Sequence, residues 1–143
     1  MKKALLGRKM GAGALAGFAM AATLLPPTMA LAGIGEELTI AQQHSLLAYR
    51  SGGRGVGGAK THLQHVLNCL VGPGGEGYDV KPPMMDPCAS SGKGALNDAV
   101  SPAQKTKITA ALGLVKAAFA IEDPEKMQAA TTEIADAIGA AKE

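Results

Sequence analysis

The stretch THLQHVLNC, residues 61 to 69, sets His62, His65 and Cys69 on successive turns of any helix it forms, and His44 lies upstream. These are the only three histidines of the 143-residue chain. Neutral imidazoles held together suit zinc, and thioether sulfur beside imidazole suits copper. Met84 and Met85, in MMDPC, therefore join His44, His62 and His65 as candidate metal ligands. Two other readings stand beside this one. In the first the histidines are structural, with His62 bonding a loop carbonyl, His65 solvated and His44 filling a gap at the core edge. In the second a b-type haem sits between helices. Neither HExxH nor CxxCH occurs, so the strongest protease and c-haem patterns are missing.

A helix advancing about 100° per residue puts Leu63, Val66, Leu67 and Leu70 on one apolar stripe. His62 and Cys69 border that stripe, His65 lies on the flank beyond them, and Gln64 and Asn68 point to solvent. If this helix runs antiparallel to the one before it, His44 and His65 stand at similar heights. The elements that must position them follow from the same periodicity. Ile40, His44 and Leu47, with Leu38, Ala41 and Ala48 alongside, mark a helix over about 36–50; the second covers about 59–71. Ile108, Ala111, Leu112, Val115 and Phe119 mark a third over about 102–121, and Met127, Ala130, Ile134, Ala137 and Ala141 a fourth over about 124–142. Ser101-Pro102-Ala103-Gln104 and Asp123-Pro124-Glu125 supply N-caps with proline in the first turn, where its missing amide hydrogen is not needed. The fold class expected is all-α, a small four-helix bundle with a long disulfide-tethered loop between helices two and three. With two Phe, two Tyr and no Trp, its core is aliphatic and small.

The compartment decides how the cysteines are read. Lys2, Lys3, Arg8 and Lys9 precede an uncharged run, Pro26-Pro27 and the small-x-small step Ala30-Leu31-Ala32, the layout of a cleavable export signal over residues 1–32. The expected product is a single helical domain, residues 33–143, soluble and periplasmic or secreted. Four of the 14 basic residues and none of the 12 acidic ones fall in the signal, so the remainder carries about −2. No basic cluster with interleaved aromatics occurs, and nucleic acid is not an expected partner. In an oxidising compartment Cys69 and Cys88 are expected to form one disulfide, tying down the segment from Gly72 to about Val100.

Gly53-Arg54-Gly55-Val56-Gly57-Gly58 fits GxGxxG, but dinucleotide sites need a strand leading into that loop, and here the preceding segment reads as helix. The ten residues SGGRGVGGAK are expected to be a flexible connection. Ser45 and Ser90 lack an evident base, and no carboxylate pair suggests acid and base roles, so no enzyme is expected. THLQHVLNCLVGP, followed by DPC and GKGALNDA, resembles segments of small exported bacterial helical proteins without assigned activity. The resemblance covers roughly residues 40 to 100 and implies one structural unit for the His, Asn, Cys and Gly-Pro positions, with no catalytic residues. The expected function is an exported binding protein for copper or zinc, against a metal-free structural or protein-interaction module. A homodimer through Ala110, Ala111, Ala117 and Ala118 is a further expectation.

Overall fold

The computed structural model describes residues 28–82 and 84–143, and side chains from Gly33 onward. The expected export signal thus lies outside the described residues, apart from the backbone of residues 28–32, which is helical. Every regular element among the described residues is helical: α1 (Thr28–Gly52), α2 (Val56–Val71), α3 (Ala95–Asp98), α4 (Pro102–Ala118) and α5 (Pro124–Ala141). The single-turn α3 falls within the segment read from sequence as loop. None of these helices is long and apolar enough to cross a membrane.

Along α1 Ile34, Leu38, Ala41, Ser45 and Ala48 are buried at a spacing of four and three, with Glu37 and Gly52 buried beside them. The stripe expected through Ile40, His44 and Leu47 is therefore displaced around the helix; Leu47 is 36% exposed and Ile40 is half-buried. The reason is size. Ala41, Ser45 and Ala48 let the neighbouring helices approach closely, and the Ser45 hydroxyl donates to the Ala41 carbonyl, so its burial leaves no unmet polar group. The bulkier Leu46 and Leu47 stay outside.

The glycine-rich connection is shorter than expected, because α1 continues through Gly52 and α2 starts at Val56. The amides of Arg54 and Gly55 close the turn onto the Ser51 and Gly52 carbonyls. Gly55, at φ 128°, adopts a backbone that L side chains rarely take. A Cβ on Gly58 would come within 3.2 Å of the Ser51 Cβ, so glycine keeps the two helices close at the turn. This brings α1 and α2 together antiparallel.

Ser101 Oγ accepts from the Gln104 amide, and Asp123 Oδ1 from the Lys126 amide, as the capping pattern requires. Gln104 reaches back with Oε1 to the Val100 amide, one residue before the cap. Its Nε2 donates to the Ala141 carbonyl, which fixes α4 antiparallel to α5. Gln42 Nε2 donates to the Ala135 carbonyl and Gln128 Nε2 to that of Tyr49, so α5 is antiparallel to α1. α4 gives way to tight turns after Ala118, three residues before the expected end. Ala111 and Ala118 are core residues, which removes half of the expected small-residue dimer face; Ala110 and Ala117 are exposed.

The disulfide Cys69–Cys88 joins the end of α2 to the long segment, with both residues buried. The ends of that segment cross backbone to backbone at Gly72 and Gly94. Gly72 (φ 69°) would drive a Cβ into the Lys93 carbonyl, and Gly94 (φ 96°) would drive one into the Gly72 amide. Both positions need glycine for conformation and for room.

Candidate metal centre

Antiparallel α1 and α2 bring His44 against His62 and His65. His44 Nδ1 lies 3.3 Å from His62 Nδ1 and 3.2 Å from His65 Nδ1. The His44 ring meets that of His65 edge-on at 4.7 Å between centroids, and that of His62 at 5.4 Å. One ligand atom from each of the three lies within 4.8 Å of the others. The expected common height of His44 and His65 is thus realised.

The expected exposure is not. His65 and Asn68 are each only 1% exposed, whereas the helix-wheel argument put His65 on a flank and Asn68 in water. The wheel considered α2 alone, and the disulfide-tethered segment folds over its polar face. Gln64 Nε2 donates to the Gly77 carbonyl and to Asn68 Oδ1. Asn68 grips the Asp79 backbone from both sides, its Nδ2 donating to the carbonyl and its Oδ1 accepting from the amide. That Nδ2 also donates to Asp86 Oδ2 at 3.2 Å, and the Tyr78 hydroxyl donates to the same oxygen at 2.7 Å. Asp86 Oδ1 accepts from the Cys88 amide two residues on, an Asx turn. Asn68, Tyr78 and Asp86 were not among the residues singled out for the site from sequence.

Burial, then the neighbouring His65 and His62, push the His44 imidazole down to about 4, with Asp86 opposing. Burial and His65 push His62 down as well. Both shifts favour the neutral ring, the form that ligates metal. Met84 and Met85 are 71% and 88% exposed, so the structure leaves them standing out on the loop rather than packed among the imidazoles.

A second polar site lies beneath the far part of the same segment. Glu37 is 1% exposed; its Oε1 accepts from the Gly94 amide at 2.7 Å, and its Oε2 has no hydrogen-bond partner among the described residues. Asp98 stands nearby, accepting from the Lys93 amide, and a Cβ on Gly92 would meet both carboxylates at 2.5 Å. Burial, opposed by the Gly94 bond and reinforced by Asp98 and Glu36, pushes Glu37 up to about 7. Glu37 was not singled out from sequence; the signal present was that Ile34, Glu37, Leu38 and Ala41 fall on one helical face.

Comparison of the chain with protein-family models, curated proteins and solved structures finds no match.

Proposed function

We propose that this chain is an exported helical protein that binds one transition-metal ion, copper or zinc, through His44, His62 and His65. The observation that carries the reading is the double contact at His44 Nδ1. An imidazole nitrogen has a single in-plane orbital, holding either a proton or a lone pair. One such orbital serves one partner well, so a proton on any of the three nitrogens leaves another contact poorly satisfied. A cation among them satisfies all three. With metal–nitrogen bonds of about 2.0–2.1 Å, adjacent donors of a tetrahedral site stand about 3.3–3.4 Å apart, close to the 3.3 and 3.2 Å that separate His44 Nδ1 from the other two histidines, and the three ligand atoms lie within 4.8 Å of one another. Hard oxygen-seeking cations such as calcium find no matching donors in three imidazoles.

Three protein ligands leave a fourth position for water or a guest, since Met84 and Met85 stand 71% and 88% exposed on the loop. The haem alternative draws no support from this packing. Bis-imidazole haem needs two nitrogens on opposite faces of a porphyrin, about 4 Å apart across the iron, whereas these contact one another directly. The protein-interaction reading rests on a different observation, the exposure of Leu46, Tyr49, Val80 and Met85.

Elemental analysis of the exported protein, followed by titration of zinc and copper(II) into wild type and the His44→Ala, His62→Ala and His65→Ala variants, tests the proposal. Micromolar or tighter binding, weakened at least tenfold in each variant, is the expected result. Equal and weak binding in all four proteins would return the histidines to a structural role and favour the interaction module.

A further inference from the structure

Resting on that metal-binding reading, we infer that Asp86 is the specificity-determining counter-charge of the site: a carboxylate held in place by the α2 face that carries His65, which makes the centre favour a divalent over a monovalent ion. Asp86 is fixed from three directions, by Asn68 Nδ2, the Tyr78 hydroxyl and the Cys88 amide. Asn68 follows His65 by three residues, so one turn of α2 presents the ligand and the next holds the carboxylate. Asp86 also acts on the His44 ring through space, opposing the effect of burial and of the two neighbouring imidazoles. It does not join the cluster of converging ligand atoms, which comprises the three histidines. Its influence is therefore exerted through space. The disulfide at Cys88, two residues away, ties this part of the segment to the end of α2.

A fixed negative charge stabilises a bound ion in proportion to the ion's own charge, so it discriminates between Cu(II) and Cu(I), which occupy the same ligands. The three imidazoles set a preference of their own, but wild type and the Asp86 variants share them, so the difference between these proteins isolates the charge. The reduction potential of bound copper reads this discrimination directly, because it is set by the ratio of the two affinities. If zinc binds, copper(II) binds too, since copper(II) exceeds zinc in affinity for nitrogen sites.

The experiment is a redox titration of the copper-loaded full chain as wild type, Asp86→Asn and Tyr78→Phe. Asparagine keeps an acceptor for the Cys88 amide while losing the charge; Asp86→Ser, whose hydroxyl also accepts from that amide, serves if the first variant does not fold. The expected result is about a tenfold loss of discrimination against Cu(I) on removing the charge, a rise of about 59 mV for one electron. Tyr78→Phe retains the charge and is expected to leave the potential within about a quarter of that shift. An unmoved potential in the copper-loaded Asp86 variants overturns the inference while leaving the histidine site intact. An equal rise in Tyr78→Phe overturns it also, since the effect would then belong to loop packing. Failure of the wild type to hold copper overturns the metal-binding reading and this inference with it.

Discussion

The histidine cluster and the Glu37 site are buried by two parts of the same segment, and burial acts on them in the same sense with opposite chemical results. Desolvation favours the neutral form of each group. A neutral imidazole has a lone pair to offer and becomes a ligand. A neutral carboxyl has lost the charge that would attract a cation and becomes a proton carrier. The surroundings sharpen the contrast. Around the histidines Gln64, Asn68, Tyr78 and Asp86 are paired with one another or with backbone, and one ligand atom of each histidine lies within 4.8 Å of the others. Around Glu37 one oxygen has the Gly94 amide and the other has no partner among the described residues, with Asp98 close by. Cover supplied by a single segment thus yields, at one end, three imidazoles that could hold a metal ion and, at the other, a carboxyl that burial pushes towards its protonated form.

The severest way to break the comparison is to remove the cover from both sites at once. In Gly94→Ala a side chain must occupy the space of the Gly72 backbone at φ 96°, and the amide bonded to Glu37 must shift. We expect a loss of more than about 3 kcal/mol from backbone strain and overlap, with metal binding and the Glu37 titration both disturbed, measured by denaturant unfolding and zinc titration. A variant as stable as wild type would show that the segment's ends do not cross as described.

Cys88→Ser loosens the cover more at the histidine end. A closed loop of about 20 residues contributes roughly 3 kcal/mol in the chain-entropy model, and part of that is offset where the helices hold the segment without it. A lowered melting temperature, with helix content nearly unchanged below it by circular dichroism, is the expected result. Thiol labelling of unreduced, denatured wild type should find no free cysteine.

Glu37→Gln separates the two sites by pH. The folded pKa of Glu37, about 7, lies above its ordinary value of 4.5, so between these limits the folded chain keeps a proton that the unfolded chain releases. Stability from this group therefore falls as pH rises through that window and is level above it. The shift corresponds to roughly 3 kcal/mol, of which glutamine recovers part, because its amide is left with an unmet donor where Oε2 stood. We expect Glu37→Gln to be more stable than wild type by about 1–2 kcal/mol at pH 8 and no more stable at pH 4.5. His44 works in the other sense. Its folded pKa near 4 lies below its ordinary value, so wild-type stability from this group falls as pH drops from about 6.5 towards 4. Unfolding free energies at four pH values would expose both slopes, and a Glu37→Gln profile parallel to wild type would remove the buried-proton account.

Local chemistry in this chain was readable from sequence, and long-range burial was not. The caps at Ser101 and Asp123, the apolar stripe of α2, that of α4 apart from the half-buried Phe119, the cysteine pair and the meeting of His44 with His65 follow from spacing and residue type, whereas in α5 Met127, Ile134 and Ala141 are core but Thr131 and Ile138 take the buried places expected of Ala130 and Ala137. The α1 stripe was misplaced because Leu and Ile were weighted above Ala and Ser, whereas close helix packing selects small residues. His65 and Asn68 were misread because a wheel for one helix carries no information about a segment that returns over it. Met84 and Met85 were drawn towards the site by residue type alone, and the loop that carries them turns them outward.

The central claim is that three imidazole nitrogens act together on one ion. X-ray absorption spectroscopy of the zinc-loaded protein tests it most directly. The account predicts a first shell of about four light atoms at about 2.0–2.1 Å, with the outer-ring scattering of three imidazoles, falling to two in His44→Ala. A shell of six oxygens with no imidazole scattering, unchanged in His44→Ala, would contradict it.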